Sequence, residues 1–413
     1  MAADVAPAHP ADAQPSCRVM VSCGEASGDL YAGALVASLR AMEPSIDVFG
    51  FGGARLARAG AHLIGEYSKF AVTGLSEALS VVPRSWRMLQ LLEGTARTKR
   101  PDVFVAIDFP DFNFRLLPKM RALGVPVVYY ISPQLWAWRP GRMKHLQRYI
   151  DKMLVIFPFE AALYEAARVP VEFVGHPLID QIVPSGSRDA WLRGHGLDPA
   201  RPVVALLPGS RPNEIHRILP VLLAAAPLIR QQVPGVQFVI ARAPALGDDL
   251  FADARRAPDT IVATDAADDV LEVADVVVTA SGTATVQTAL HERPMVIVYR
   301  LSPATYAMAR AFVRLSTYGM VNLIAGRPVV PELIQDACTP DAVARETVSL
   351  LTDRARVAQM KDDLDQVRAA LGGPGASDRA ARAVLQMARA HRAPLPAAAD
   401  AESSTRRRSP PVD

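Results

Sequence analysis

The chain has 413 residues, of which 50% are hydrophobic and 21% charged, and its 45 basic and 42 acidic side chains give a formal net charge of +3. That length is too great for one comfortable core and predicts two domains, while the near balance of charge gives no indication of a nucleic-acid partner. No apolar run approaches the roughly 20 residues of a spanning helix, so we expect no transmembrane segment. The three cysteines lack metal-ligand spacing and are expected to be reduced thiols.

The two ends of the chain differ in composition from the rest. Residues 1–16 are rich in Ala, Pro and Asp and lack the basic-then-apolar order of an export signal, so we predict a disordered tail on a cytoplasmic protein. Residues 393–413, which include an Arg-Arg-Arg run, are predicted to be a second disordered tail.

Between the tails, short β-branched runs alternate with longer helical patterns, which is typical of α/β proteins with open parallel sheets. One series of strands is expected at 18–22, 48–51, 103–107, 125–131 and 153–157, and a second at 203–207, 236–241, 260–263, 276–279 and 295–299. We therefore predict two Rossmann-like, doubly wound domains, 17–180 and 181–392, that face a cleft. The sequence leaves open whether the helices after Pro331 cross back to the first domain.

The first strand leads into the loop CGEASGD, residues 23–29. Its glycines permit a tight turn, and Ser27 and Asp29 have side chains suited to cap a helix expected from about Leu30. Glu25 is different, because it is a carboxylate placed at the sheet edge where such folds bind ligands. We expect it to contact a ligand.

Residues 70–99 form an amphipathic stretch that contains Val81, Val82 and Trp86 beside several basic residues. A helix with Trp and Arg at its margins suits a membrane interface, although a helix packed on its own domain has a similar pattern. The high hydrophobic content of the chain favours the membrane interpretation.

The strand at 103–107 ends in DFPDFN, residues 108–113. A hydroxyl nucleophile needs a base within hydrogen-bond reach, and we expect Asp111 to be that base because Pro110 fixes the turn that projects it. Asp108 fits a cap or turn role equally well. A metal site is less favoured, since no His or third carboxylate lies nearby in sequence.

The strand at 125–131 continues into SPQLWAWRPGR, residues 132–142. Its tryptophans and arginines suit stacking on a sugar and holding a phosphate. The alternative is that the indoles fill the core and the arginines lie in solvent. For Trp136 the two interpretations stay open, whereas Arg139 is favoured as functional.

Two turns in the second half share one layout, PGSR at 208–211 and SGTAT at 281–285, each between a buried strand and a helix. Small residues let the backbone approach a phosphate, and the free N–H groups of the following helix stabilise its charge. Each turn alone fits an ordinary strand-to-helix connection. Two such turns, one with Arg211, favour a diphosphate-bearing ligand.

Taken together, these segments resemble the lipid-A-disaccharide synthase family, glycosyltransferases of the GT-B fold. The resemblance extends from about residue 17 to 390 and rests on SCGEASGDLYAGAL, DVFVAIDFPDFNF, SPQLWAWRPGR, FVGHPLID, LLPGSRPNEI, ASGTATVQTAL, NLIAGRPVVPELIQ and the pair Tyr299-Arg300.

The resemblance implies transfer of 2,3-diacylglucosamine from its UDP conjugate to 2,3-diacylglucosamine 1-phosphate, which forms a β-1,6-linked lipid A precursor and releases UDP. It also implies an enzyme of Gram-negative bacteria, part of lipopolysaccharide synthesis, that acts at the inner face of the cytoplasmic membrane without a cofactor. Both substrates carry acyl chains, which agrees with the apolar stretch at 70–99. The oligomeric state stays open, with a homodimer as one option.

The same resemblance assigns roles to residues. Asp111 is expected to accept the proton of the acceptor's 6-hydroxyl as it attacks the anomeric carbon, and Arg211 to stabilise the leaving diphosphate. The nucleotide side is expected to comprise Gly209, Ser210, Arg211, Ser281, Gly282, Thr283, Ala284, Gln287 and Asn322. The acceptor side is expected to comprise Gly24, Glu25, Ser27, Gly28, Asp29, Trp138 and Arg139.

Two positions depart from the family pattern. Gln287 stands where many members have Glu, which GT-B enzymes often use to accept hydrogen bonds from ribose hydroxyls, and an amide accepts through one uncharged oxygen. Met320-Val321 replaces a Leu-Pro pair, so the loop expected to present Asn322 is less rigid.

Other classes fit the sequence less well. A different GT-B transferase or an epimerase acting on soluble sugars shares the diphosphate turns but does not call for the apolar front-half stretches. A non-catalytic lipid or nucleotide-sugar carrier has no need of Asp111. A Rossmann dehydrogenase is disfavoured because residues 50–53 lack the complete GxGxxG order.

Overall fold

A computed structural model describes residues 15–70, 75–135, 140–182, 186–264, 266–302, 306 and 317–392, without the side chains of residues 69, 70, 75–82 and 140. The predicted tails therefore lie outside the described residues, except for residues 15 and 16. Trp136, Trp138 and Arg139 also lie outside them, as do the side chains of Val81 and Val82.

The first domain is built on a sheet of seven parallel strands. These are β1 Arg18–Cys23, β2 Asp47–Gly52, β3 His62–Glu66, β4 Val103–Ile107, β5 Val127–Tyr130, β6 Lys152–Val155 and β7 Val171–Phe173. Their spatial order is β3-β2-β1-β4-β5-β6-β7. The predicted strands are confirmed within a few residues, whereas β3 and β7 lie on the two edges and are not fully buried, so no continuous apolar run marks them.

The second domain has a sheet of six parallel strands in the order β10-β9-β8-β11-β12-β13. These are β8 Val203–Leu207, β9 Gln237–Arg242, β10 Thr260–Thr264, β11 Val276–Ala280, β12 Met295–Tyr299 and β13 Glu332–Ile334. Both sheets reverse their order after a first strand, at β1/β4 and at β8/β11, and ligands of doubly wound folds bind at such switch points. The predicted α/β class with two Rossmann-like sheets is confirmed.

Helices connect the strands and flank both sheets. In the described part of the chain they are α1 Ala26–Met42, α2 Ala54–Arg58, α3 Leu75–Lys99, α4 Pro110–Ala122, α5 Met143–Tyr149, α6 Pro158–Ala166, α7 Arg188–Gly194, α8 Pro212–Gln232, α9 Ala252–Arg256, α10 Ala267–Val273, α11 Thr283–Leu290, α12 Met320–Ala325, α13 Pro340–Thr352, α14 Arg354–Ala370 and α15 Ala376–Arg392. Short 3₁₀ turns lie at Tyr67–Phe70, Pro140–Arg142, Pro177–Asp180, Asp248–Phe251 and Gln335–Ala337.

The first sheet separates two apolar layers because side chains alternate along each strand. On β4, Val103, Val105 and Ile107 join one buried cluster, and Phe104 and Ala106 join the other. The first cluster continues into the second domain. Both faces of the central strands are therefore buried, which explains why the sequence shows unbroken apolar runs there.

The chain crosses between the domains twice, and the two crossings lie side by side. His176 N–H donates to the carbonyl of Leu371 at 2.9 Å, and the Arg379 guanidinium donates to the carbonyl of Val174 at 2.8 Å. After the second crossing, α15 packs against α1 and β4 of the first domain. The last helix thus packs against the first sheet, although it follows the second sheet in sequence.

Candidate active site

The loop after β1 is shorter than expected, because α1 begins at Ala26 rather than near residue 30. Glu25 is the N-cap residue, with an extended backbone and no side-chain cap. The expected capping by Ser27 and Asp29 is therefore wrong. Asp29 is buried, and its carboxylate accepts hydrogen bonds from three backbone N–H groups at the start of α2, those of Gly53, Arg55 and Leu56, at 2.8, 2.9 and 3.1 Å. Asp29 therefore caps the neighbouring helix, and Glu25 is the carboxylate of this loop that points outward.

The turn after β4 contains two consecutive residues with left-handed backbone, Asp108 at φ +44° and Phe109 at φ +49°. Such a conformation costs on the order of 1–3 kcal/mol for each non-glycine residue. The Asp108 carbonyl is held by the Asn113 side-chain amide and the Tyr129 hydroxyl, both donating at 2.8 Å. Asn113 is buried and accepts from the Ser22 hydroxyl at 2.7 Å, so the strained turn is held from both neighbouring strands.

Gly24 lets the first loop approach this turn. A Cβ at Gly24 would lie 2.2 Å from the ring of Phe109, which stacks on Phe112 at a centroid distance of 5.3 Å. At Gly28 a Cβ would meet only ordinary contacts. Gly24 therefore has a packing reason, which brings Glu25 close to the end of β4.

Asp108 lies half-buried between these loops. Burial raises the pKa of its carboxyl group to about 7, and the nearby Glu25 carboxylate adds to that effect, while the Phe109 N–H and the Arg211 guanidinium oppose it. A carboxyl group with a pKa near neutrality is suited to proton transfer.

Asp111 is in a different position from the one expected. Pro110 occupies the first helical position and starts α4 at residue 110, so Asp111 belongs to the first helical turn. Its side chain is 76% exposed and pairs with the Arg142 guanidinium at 2.5 Å. Arg142 in turn lies over the ring of Phe114, 4.9 Å from its centroid.

Two backbone N–H groups of the PGSR turn after β8 have an internal partner. The Glu214 carboxylate accepts from the N–H of Ser210 at 2.8 Å and of Arg211 at 3.2 Å, in a capping-box arrangement at the start of α8. Gly209 has φ +128°, and the Glu214 side chain fills the space that a Cβ there would need.

The Arg211 side chain reaches from the second domain to the first. Its guanidinium donates to the Glu25 carboxylate at 2.7 Å. Burial acts to lower the pKa of Arg211, but the carboxylates of Glu25 and Glu214 outweigh burial and raise it. This ion pair joins the PGSR turn of one domain to the loop after β1 of the other.

The SGTAT turn presents the start of a helix. The Ser281 N–H donates to the carbonyl of Val298 at 3.1 Å, so it belongs to the sheet rather than to an anion site. Gly282 is the N-cap of α11, with φ +147° and no side-chain cap, and a Cβ there would meet nothing within 4 Å. The N-terminus of α11 is thus open to an anion at Gly282, Thr283 and Ala284.

A second contact joins the domains at this turn. The buried Tyr31 of α1 lies near the Thr283 side chain, which lowers the pKa of its phenol, while burial raises that pKa and outweighs this effect. The PGSR and SGTAT turns themselves lie side by side, since Leu207 and Thr279 are register partners on β8 and β11. One region of the junction between the domains is therefore surrounded by Arg211, Glu25, Asp108, Tyr31 and the start of α11.

The two remaining nucleotide-side candidates, Gln287 and Asn322, have internal partners. The Gln287 amide nitrogen donates to Asp268 at 2.6 Å. Asn322 was expected in a loop, but it lies on α12 and is buried. It donates to the Val330 carbonyl and accepts from two backbone N–H groups of the same loop, so its side chain orders residues 329–332.

The amphipathic stretch forms α3, with Pro83 inside it. Leu89 and Leu92 are buried against the first domain, whereas Trp86 is 55% and Leu91 49% exposed. The stretch is thus a core helix on one side that presents large apolar side chains on the other. Among the described residues, no helix is long and apolar enough to cross a membrane.

Sequence reasoning gave too little weight to Asp108 and missed Tyr31, Glu214 and Asp268. Asp108 had a usable signal, because it is the first polar residue after a fully buried strand. Glu214 also had one, because it lies three residues after Arg211, the spacing of a capping box. Tyr31 and Asp268 carry no local mark, because their partners come from distant parts of the chain.

Comparison with solved structures identifies the architecture. A UDP-GlcNAc 2-epimerase from Neisseria meningitidis bound to UDP-GlcNAc aligns with a TM-score of 0.65 at 11% identity, covering 89% of this chain and 100% of that one. The glycotransferase of kitacinnamycin aligns with a TM-score of 0.58 at 18% identity, covering 90% and 98%. The protein has the GT-B fold.

Sequence comparison identifies the family. A lipid-A-disaccharide synthase from Geobacter metallireducens is 43% identical over 375 residues, 90% of this chain and 98% of that protein. Another from Myxococcus xanthus is 41% identical over 374 residues, with 90% and 97% covered. The model of the lipid-A-disaccharide synthetase family matches residues 19–387. The chain belongs to this family and is a glycosyltransferase of lipid A biosynthesis.

Proposed function

We propose that the protein transfers 2,3-diacylglucosamine from its UDP conjugate to 2,3-diacylglucosamine 1-phosphate at the junction between its two domains. The observation that carries this proposal is the 2.7 Å ion pair between Arg211 and Glu25. It brings the phosphate-type turn of the second domain beside the carboxylates of the first, so a donor and an acceptor held by different domains meet there.

In the reaction, the acceptor 6-hydroxyl oxygen bonds to the anomeric carbon as the bond from that carbon to UDP breaks. UDP leaves with the electron pair, and a protein carboxylate takes the hydroxyl proton. Attack opposite the leaving group inverts the configuration from α to β, which agrees with the β-1,6 linkage that the family resemblance implies.

We assign the base to Asp108 in preference to Asp111. Asp108 has a pKa raised to about 7 and lies beside Glu25 and Arg211, whereas the Asp111 side chain is largely exposed and paired with Arg142. The strained, doubly anchored backbone at Asp108 also fits a residue whose position matters for reaction. Asp111 stays the alternative base.

The leaving diphosphate is proposed to lie between Arg211 and the start of α11. A guanidinium with five donors can hold a phosphate while it keeps a carboxylate contact. The N–H groups of Gly282, Thr283 and Ala284 supply the helix-terminal part of the site. Glu214 already engages the Ser210 and Arg211 N–H groups, so those amides bind diphosphate only if Glu214 moves away.

Arg211→Ala is therefore expected to weaken UDP binding and to lower kcat by about a hundredfold, because one preorganised charged donor is lost. Isothermal titration of UDP and initial rates with the lipid donor measure the two effects. His216→Ala, on the helix that follows Arg211, is the matched control. Unchanged UDP affinity in the Arg211 variant would count against the diphosphate assignment.

We propose that the first domain comprises residues 17–180 together with α15, and that it contacts the membrane surface through the exposed Trp86 and Leu91 of α3. Both proposed substrates carry acyl chains, so an enzyme that meets them at the bilayer needs an apolar contact surface. The basic Lys119 lies 5.9 Å from the Trp86 ring centroid, in the combination of aromatic and cation that suits an anionic lipid surface.

The direct test incubates purified protein with UDP-2,3-diacylglucosamine and 2,3-diacylglucosamine 1-phosphate in the presence of EDTA, with mass spectrometry of the lipid products. We expect a disaccharide 1-phosphate and stoichiometric UDP. Release of UDP without a disaccharide would indicate donor hydrolysis and would contradict the assigned acceptor.

A further inference from the structure

We propose that Asp268 is a specificity-determining residue that, together with Gln287, recognises the two ribose hydroxyls of the donor nucleotide. The inference rests on the proposed UDP-sugar site and deepens it. Its starting point is the hydrogen bond from the Gln287 amide nitrogen to the Asp268 carboxylate at 2.6 Å.

Asp268 lies at the edge of the second sheet where ligands are expected. It belongs to the first turn of α10, which follows the end of β10. Because parallel strands present their carboxyl ends to the same edge, this turn lies on the same side of the sheet as the PGSR and SGTAT turns. The Asp268 side chain is 42% exposed, so its carboxylate is accessible there.

The surroundings of Asp268 keep its carboxyl group ionised. Burial acts to raise its pKa, but hydrogen bonds from His291 and Gln287 outweigh burial and lower it, and the Arg55 guanidinium acts in the same direction. Arg55 belongs to α2 of the first domain. A cation of the first domain therefore lies near enough to the Asp268 carboxylate to lower its pKa.

The Gln287 side chain is held in one orientation by this contact. The oxygen that accepts from Gln287 also contacts His291 Nε2 at 3.0 Å, and the buried His291 ring has Glu272 at its other nitrogen, at 3.2 Å. Since the amide nitrogen of Gln287 is committed to Asp268, its oxygen is the group left to accept from a ligand.

The presence of Gln287 where many family members have Glu can then be explained chemically. A ribose presents two vicinal hydroxyl donors, and a glutamate supplies two charged oxygens in one group. A glutamine supplies one neutral oxygen. With Asp268 within hydrogen-bond distance of Gln287, the pair again offers two acceptors and one negative charge, divided between α10 and α11.

The experiment compares the affinities of UDP, 2′-deoxy-UDP and 3′-deoxy-UDP for the full-length protein by isothermal titration. The unmodified protein is expected to prefer UDP by about tenfold over at least one deoxy analogue, as for a hydrogen bond to a charged group. Asp268→Asn and Asp268→Ala should both weaken UDP binding and reduce that preference. Asp269→Asn, a neighbouring carboxylate on the same turn, is the control and should preserve it.

A double-mutant cycle separates recognition from simple structural support. Gln287→Glu alone places two carboxylates at hydrogen-bond distance and should weaken UDP binding, whereas Gln287→Glu with Asp268→Asn restores a donor–acceptor pair and should recover both affinity and ribose preference. Recovery of the melting temperature without recovery of the ribose preference would overturn the inference.

The outcomes distinguish this inference from the function on which it rests. Suppose that UDP binds the unmodified protein, and that the Asp268 variants prefer UDP over the deoxy analogues as strongly as the unmodified protein does. The role of Asp268 is then refuted and the donor site stands. If UDP does not bind the unmodified protein at all, the donor site and this inference fall together.

Discussion

The Asp108 carboxyl group owes its chemistry to residues far from it in sequence. It ends a buried strand, its carbonyl is fixed by Asn113 and Tyr129, and the charges of Glu25 and Arg211 act on it from two other loops. Asp111, three residues later, belongs to a helical turn and faces solvent and Arg142. At this scale, function is decided by burial and neighbouring charge rather than by residue type.

The first prediction separates the two carboxylates. Asp108→Asn is expected to lower kcat by about 10²–10⁴-fold with UDP binding retained, because an amide cannot take the proton of the attacking hydroxyl. Asp111→Asn is expected to change kcat by less than about tenfold. Initial rates and UDP titration of both variants measure this, and the reverse ranking would return the role of base to Asp111.

The second prediction concerns pH. A base with a pKa near 7 is protonated and inactive below that value, so kcat/KM should rise with pH through about 7 and then level off. Glu25→Gln removes a negative charge that raises the Asp108 pKa, so the rising limb should move to lower pH. Asp111→Asn is the control, and a limb that stays in place in the Glu25 variant would contradict the proposed coupling.

At the scale of elements, α3 has two different faces, and the PGSR and SGTAT turns differ in how they are capped. The buried side of α3 packs into the first domain through Leu89 and Leu92, while Trp86 and Leu91 stay exposed. The PGSR turn is closed by its own Glu214, whereas the SGTAT turn has no side-chain cap. Local patterns predicted both turns but did not distinguish the closed one from the open one.

The third prediction tests the exposed face of α3. Trp86→Ser combined with Leu91→Ser should lower the fraction of protein that sediments with anionic phospholipid vesicles by about tenfold, because two large apolar contacts with the interface are lost. Trp86→Tyr keeps an interfacial aromatic and should sediment nearly as the wild type does. Equal sedimentation of all three proteins would mean that another surface meets the membrane.

At the scale of the whole molecule, the paired crossings near His176 and Leu371 join the domains. His176 is buried beside Tyr31, with ring centroids 5.9 Å apart, and its Nδ1 accepts from the Leu178 N–H at 3.2 Å. Burial lowers the pKa of its imidazole from 6.5 to about 3. The His176 imidazole is therefore neutral in the folded protein near neutral pH.

The fourth prediction follows from that pKa. Below pH 6.5 the unfolded imidazole takes up a proton that the folded protein does not accept until about pH 3. The contribution of His176 to the free energy of unfolding is thus fully present above pH 6.5. Below that pH it falls by up to about 1.4 kcal/mol per pH unit. His176→Asn, which keeps an acceptor for Leu178, should remove about 2 kcal/mol of the loss between pH 7.5 and 5.

Urea unfolding of both proteins at the two pH values measures this difference. His195→Asn, at an exposed position of the second domain, is the matched control and should leave the profile of the wild type unchanged. Parallel profiles for the wild type and the His176 variant would show that the junction does not depend on a neutral imidazole.

Much of this architecture is predictable from the sequence, because strand runs, glycine turns and helix starts depend on neighbouring residues. Buried runs gave ten of the strands, and the loops after β1, β4, β8 and β11 predicted where the site would lie. A boundary shifted where a helix cap was misjudged, as at Ala26, which begins a helix that was expected from about residue 30.

The sequence by itself determined two parallel α/β domains, the family and the loops that carry the chemistry, since these are written in periodicity and short motifs. Only the tertiary structure decided which aspartate has a raised pKa, that Arg211 meets Glu25 across the domains, that Asp29 caps a neighbouring helix and that Gln287 is held by Asp268. Burial and electrostatic fields depend on groups brought together from distant parts of the chain, and folding alone places them.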